Sequence, residues 1–157
     1  MAAYFRKPRA ATHLWHYLRG GGAMKEVSTR ELLESDVRVR RVFLSAVRAA
    51  LEKGITSSAV PIPQWQFSRF DWRCAVGSIS LYWQREEDGI RTWFRDPYRW
   101  HPDSNRPTRL LHRIAERLKR RGAADYWMAG TPAHIPMTQV LAAAAPRPVP
   151  PRDRVYL

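Results

Sequence analysis

The stretch that most restricts the fold runs from Ile79 to Asp96. Ile79, Leu81 and Trp83 alternate with Ser80 and Tyr82, Asp88-Gly89 follows, and "IRTWFRD" runs on from there. Alternation at period two describes a strand with one buried face, and Asp-Gly between two such runs is a strong hairpin signal. The residues ahead of it, within "QWQFSRFDWRCAVGSISLYWQ", are rich in aromatic and β-branched types and read as strand as well. Helical periodicity occurs before and after this region. Strands in the middle, joined by hairpins rather than crossovers, predict an α+β domain. Its expected order is N-terminal helices, a curved antiparallel sheet with an open barrel as one arrangement, and a basic C-terminal helix.

Leu14 and Leu18 recur at helical spacing between Ala10 and Arg19, and Gly20-Gly21-Gly22 ends that segment. Ser28-Thr29-Arg30-Glu31 reads as a capping box opening a turn through Leu33. A clearer helix spans Val39 to Lys53, with Val39, Phe43, Ala46, Val47, Ala50 and Leu51 on one face and Gly54 as its stop. Arg38, Arg41 and Arg48 lie mostly off that face and read as solvated. Pro61 and Pro63 break helix. Pro107 to Arg121 is the most basic helix, with Leu110, Leu111, Ile114 and Leu118 inward and Gly122 as its stop. "DYWMAG" reads as a further strand, and "AAAAPRPVPPRD" as a partly extended tail. The domain limits expected are a basic arm over 1–9, one α+β domain over 10–140 and an Ala/Pro-rich tail over 141–157.

With 157 residues, 45% apolar, and seven Trp, the chain has enough hydrophobic surface for one packed core. A net charge of +13, from 27 Lys plus Arg against 14 Asp plus Glu, exceeds what solubility needs and implies a polyanionic partner. Nucleic acid, anionic lipid headgroups and phosphorylated lipid carriers all qualify. Cys74 is the single cysteine, so an intramolecular disulfide is excluded; its place in an apolar strand-like run makes it a buried, inert thiol. No apolar run approaches the roughly 18 residues of a membrane span. Arg6, Lys7 and Arg9 are followed by no apolar segment of the secretory type, so delivery by another device is expected.

The hairpin leads into "RDPYRWHPDSNR", Arg95 to Arg106, where Pro97 and Pro102 restrict a backbone carrying Asp96, Tyr98, Arg99 and His101. Arg106 stands just before the basic helix, whose N-terminal amides favour an anion. A carboxylate, an arginine and a helix N-terminus around one loop suit phosphate chemistry: Asp96 to hold a divalent metal or position water, Arg106 to neutralise developing charge. The competing reading is a loop salt bridge between Asp96 and Arg106, with Tyr98 and Trp100 as core anchors.

The spacing Asp96-x-Tyr98, with Arg106 ten residues after the aspartate, resembles the signature of colicin M-type bacteriocins, which reads Asp-x-Tyr-Asp, a short gap, then His-Arg. "HLWHYLRGGG", "VSTRELLESDVRVRRVF" and "AVGSISLYWQ" are similar to the helix, turn and first long strand of that family's activity domain, so the resemblance spans roughly Ala10 to Gly130. It implies cleavage of lipid II, the undecaprenyl-linked peptidoglycan precursor, at the phosphate nearest the lipid, with a divalent cation, usually Mg²⁺. Asp96, Tyr98 and Arg106 match the signature, with Asp96 as the metal ligand. The second aspartate is Arg99 here and the histidine is Asn105. Arg99 reverses the local charge and opposes a nearby Mg²⁺, and the neighbouring groups able to act as a base are His101 and Asp103, at a different spacing. Arg95, Arg99 and Arg109 are the candidate phosphate-binding residues.

On this reading the chain is an interbacterial toxin domain delivered to the periplasm of a target bacterium. Its partners are lipid II or a related polyprenyl pyrophosphate, the membrane surface, and an acidic immunity protein. The rival readings are a nucleic-acid-binding or nuclease toxin, motivated by "RLLHRIAERLKRR", and an adaptor docking an acidic partner. His112 and Glu116, four apart on the basic helix, read as a solvated pair rather than a metal pair. His13 and His16 are too few for a metal site, His134 reads as a loop residue, and Asp71 as a partly buried carboxylate within reach of the Asp96 loop.

Overall fold

The computed structural model describes residues 8–19, 21–98 and 117–144. The chain opens with helix α1 (Pro8–Arg19), strand β1 (Lys25–Ser28), and helices α2 (Thr29–Ser35) and α3 (Val37–Glu52). Strand β2 (Ser57–Ile62), a 3₁₀ turn (Gln64–Gln66) and helix α4 (Phe70–Val76) lead to the hairpin of β3 (Ile79–Arg85) and β4 (Gly89–Tyr98). Residues 117–120 are helical, and β5 (Tyr126–Thr131), β6 (Ala133–Pro136) and α5 (Met137–Leu141) follow. The architecture is α+β, as the order of patterns predicts.

The strand order is β1-β5-β4-β3-β2, with β6 also on β4, and the sheet does not close into a barrel. Four pairings are antiparallel, while β1 runs parallel to β5, Val27 facing Gly130. The sheet is therefore mixed, where the hairpin pattern alone predicts an antiparallel one. β5 and β6 act as one bulged strand against β4: Arg95 faces Ala129 while Thr92 faces Ala133, three steps against four. Pro132, which lacks an N–H for the ladder, sits in that extra step. Pro61 is likewise tolerated because β2 is an edge strand.

Alternate residues of every strand point into one core. Val60, Ile62, Ile79, Leu81, Trp83, Ile90, Phe94, Tyr98, Tyr126 and Met128 pack with Leu32, Leu33, Val39, Phe43 and Val47 of α2 and α3. The Val39, Phe43 and Val47 stripe is buried as its periodicity predicts. Arg38 and Arg41 are exposed, but Arg48 is half-buried and donates to the carbonyls of Leu141 and Ala143, which ties α3 to α5.

Two corrections concern the segment before the hairpin. Phe70–Val76 is helix rather than strand, because Asp71, Trp72, Ala75 and Val76 form a buried helical stripe against α1. Cys74 therefore lies on a helix and is half-buried, not enclosed in a strand. His134, read as a loop residue, is on β6. The basic helix over 107–121 and the tail fall mostly outside the described residues. Within the described tail, the Ser45 hydroxyl donates to the Ala144 carbonyl at 2.6 Å, so packed chain continues past residue 140.

Candidate functional site

β4 does not end at Asp96 but continues to Tyr98, so both residues are fixed by the sheet rather than by a loop. Asp96 lies opposite Met128 of β5 and Tyr98 opposite Tyr126. On the other side, regular pairing with β3 stops at the Leu81 and Phe94 pair. Beyond that point the Ser80 amide donates to Asp96 Oδ2 at 2.9 Å, so the carboxylate takes over the ladder where the two strands part. Asp96 Oδ1 makes no hydrogen bond among the described residues. Burial pushes the Asp96 carboxyl above its ordinary range, and the Ser80 bond only partly offsets that.

Tyr98 is buried and stacks on Tyr126, with centroids 4.7 Å apart and rings inclined by 17°. α1 closes over the pair: His13 is buried, its ring centroid 5.6 Å from that of Tyr98, and His13 Nδ1 lies 2.8 Å from the Tyr126 hydroxyl. The same hydroxyl is a donor to the His13 carbonyl at 3.3 Å. Both bonds are satisfied together when Nδ1 carries the proton and donates. Tyr98 is thus a core anchor, as the competing reading of the loop holds.

Burial lowers the His13 pKa to about 3, aided by Lys25 and His16 and opposed by Asp71. Folding therefore excludes a proton that the unfolded chain binds below about 6.5. Stability is expected to fall as pH drops from about 6.5 toward about 3, with a slope approaching about 1.4 kcal/mol per pH unit. Urea midpoints at successive pH values measure it, and His13→Gln should flatten this part of the profile.

Asp71 is buried on α4 and reaches α1, while the loop after Tyr98 that the sequence sets within its reach lies outside the described residues. Arg9 Nη1 donates to Asp71 Oδ2 at 3.2 Å, its Nε donates to Glu31 at 3.0 Å, and its guanidinium covers the Trp72 ring at 4.7 Å. Arg9 therefore belongs to α1 and not to a loose arm. The Ser28 hydroxyl caps α2 by accepting from the Glu31 amide, while the Glu31 carboxylate turns outward to Arg9. Sequence reading named Arg9 and Glu31 but not their junction, which joins positions 22 apart.

Two further groupings lie elsewhere. At the hairpin tip, Glu86, Asp88 and His134 bring ligand atoms within 4.8 Å of one another, with His134 Nε2 2.9 Å from Asp88 Oδ1. A cleft of about 270 Å³ is lined by Arg30, Glu34, Arg40, His134 and Gln139, and Arg40 donates to Gln139 within it. Neither was singled out in the sequence, since β6 brings His134 to both.

No family model, curated protein or solved structure matches the chain. The remaining candidates from the sequence, Arg99, His101, Arg106 and Arg109, lie outside the described residues, as do Trp100, Asp103, Asn105, His112 and Glu116. Around Asp96, the described residues unite Asp96 and Tyr98 with His13, Ser80 and Tyr126 and leave Arg95 on the opposite face of β4, its guanidinium 5.3 Å from the Trp127 ring. A Mg²⁺ ion bound through one carboxylate, with water and substrate phosphate oxygens as the other ligands, would be held by Asp96 Oδ1, which makes no hydrogen bond among the described residues. Among the described residues Asp96 belongs to no cluster of three or more carboxylate, histidine or cysteine ligands. Also among the described residues, no helix is long and apolar enough to cross a membrane.

Proposed function

We propose that this chain is an interbacterial toxin domain that hydrolyses a phosphoester of a phosphorylated envelope lipid, lipid II in the first instance, and so blocks peptidoglycan synthesis. The observation that carries the reading is Asp96. A strand terminus holds this carboxylate by one oxygen, leaves the other without a bond among the described residues, and places it directly before the arginine-rich run that resembles the colicin M-type signature. Asp96 Oδ1 orients the attacking water or a hydrated Mg²⁺ ion, and the ion, when bound, neutralises charge on the phosphate oxygens. Arg99, Arg106 and Arg109 follow within thirteen residues of Asp96 and supply cationic donors for the pyrophosphate. Tyr98, beside His13 and stacked on Tyr126, keeps the strand end rigid, which holds the carboxylate in place to orient the water for in-line attack. The periplasmic face of a target membrane is where such a substrate is met.

Asp96→Asn tests the reading with little structural cost, because the amide oxygen can still accept from Ser80. Purified protein with lipid II and Mg²⁺ should release the lipid alcohol or its phosphate, and the variant should be slower by about 10²-fold or more. Lipid II left intact at high protein concentration, or full activity in Asp96→Asn, overturns it. A second reading, nucleic-acid attack, draws on the basic run "RLLHRIAERLKRR", whose charges suit phosphate contacts. Killing restricted to periplasmic expression supports the lipid substrate, and killing from the cytoplasm supports the nucleic acid.

A further inference from the structure

The side chains on the second face of the sheet follow from its register. Ala59 faces Tyr82 and Tyr82 faces Trp93; Arg95 faces Ala129 and Pro97 faces Trp127. All alternate with the buried residues that meet the helices, so they share the opposite face across β2, β3, β4 and β5. That face is unusually aromatic for one turned to water. Trp127 is 48% exposed and Tyr82 38%, and Arg91, Pro61 and Pro97 are exposed beside them. Acidic groups stand only at its margins: Glu26 on β1, and Glu86 and Asp88 at the hairpin tip, where His134 faces Arg91 and lies 2.9 Å from Asp88 Oδ1.

We propose that this sheet face docks on an anionic lipid bilayer, with Arg91 and Arg95 at headgroup phosphates and Tyr82, Trp93 and Trp127 in the interfacial layer. It rests on the reading above for the location of the substrate, and it names the surface that brings the chain there. Indole and phenol rings place an apolar body and a polar tip at such an interface, and guanidinium groups add attraction to anionic lipid. The geometry favours lipid over single-stranded nucleic acid. Base stacking needs open ring faces, whereas Tyr82 and Trp93 stack on one another at 6.1 Å and 19°, and the Arg95 guanidinium lies over Trp127. What these rings present outward suits a soft interface more than a column of bases. The net charge of +13 supplies the long-range attraction.

Flotation of the full chain with phosphatidylglycerol-containing vesicles, with vesicles of phosphatidylcholine alone, and with a competing single-stranded oligonucleotide tests the assignment. Wild type should bind the anionic vesicles and not the neutral ones. Arg91→Gln with Arg95→Gln should lower partitioning about 25-fold, as expected for two basic residues at an anionic surface. Arg41→Gln with Lys53→Gln, which removes the same charge from α3 and its C-cap, should cost less than about threefold, because distant charges are screened. Tyr82→Ser with Trp127→Ser should abolish the binding that survives high salt, yet leave cleavage of lipid II in detergent micelles unchanged. Equal losses in the two charge pairs, equal binding to neutral vesicles, or displacement from vesicles by the oligonucleotide overturns the docking face. Failure of the wild-type chain to cleave micellar lipid II refutes the proposed activity instead, and the vesicle result then stands by itself.

Discussion

Asp36→Ala is expected to lower the free energy of unfolding by about 4 kcal/mol, a large part of the roughly 5–15 kcal/mol of an ordinary domain. Asp36 is fully buried. Its Oδ1 accepts from the Val39 amide at 3.1 Å, the Ser68 hydroxyl at 2.7 Å and the Ser68 amide at 3.3 Å, and its Oδ2 accepts from the Arg69 amide at 3.0 Å. One carboxylate thus caps α3 and fastens the chain entering α4. Removing a helix cap costs about 1 kcal/mol, and each buried donor left without an acceptor adds about 1–3 kcal/mol. Asp36→Asn should recover part of the loss, since its single oxygen can satisfy the Val39 and Ser68 donors while its NH₂ opposes the Arg69 amide. Urea unfolding of both variants measures the difference, and hydrogen exchange at Arg69 locates it.

The same residue sets the acid limit. Burial raises the Asp36 pKa, but the bonds from Arg69, Ser68 and Val39 outweigh it and hold the carboxyl below its ordinary 3.8. A depressed carboxyl contributes stability that is complete above its unfolded pKa and is lost as pH falls through the folded value. The loss due to His13 begins near pH 6.5, and that due to Asp36 begins only below about 3.8. The two windows are separable because Asp36→Asn removes the lower one alone.

The hairpin was legible because its period, its Asp-Gly turn and its apolar face all point the same way, so local preference and tertiary packing agree. α4 was not, since aromatic and β-branched residues suit a strand locally, and burial of Asp71, Trp72, Ala75 and Val76 against α1 overrides that preference. Asp36, the N-cap of α3, was not singled out in the sequence, where that helix was read from Val39, and its bonds to Ser68 and Arg69 span 32 and 33 positions and left no local signal. β1 and β6 are four residues each, too short for periodicity to register. At the site, Asp96 and Tyr98 could be named from residue type and spacing. Their neighbours His13 and Tyr126 come from chain segments more than a hundred positions apart, and only the packing of α1 on β5 joins them.

Gly130→Val is expected to destabilise the domain by about 3 kcal/mol or more, the upper range for overpacking in a close-packed core. Gly130 lies on β5 where the parallel strand β1 and the start of α2 converge. A Cβ built there overlaps the Phe94 ring and the Thr29 hydroxyl oxygen, and both of those residues are buried. Its backbone is not left-handed, so the requirement for glycine is space and not conformation. Relief must therefore come from the neighbours. Gly130→Ala should cost less than Gly130→Val, and combining it with Phe94→Leu should cost less than the sum of the two single changes, because the smaller side chain vacates the volume the new methyl needs. Additive losses in that double-mutant cycle, measured by urea unfolding, would show that the Phe94 ring does not limit the space at Gly130. The close approach matters beyond stability, since β4 carries Phe94 two residues before Asp96. A strand displaced at Phe94 moves the carboxylate as well, so Gly130→Ala should reduce the proposed lipid II hydrolysis more than its loss of folded protein accounts for.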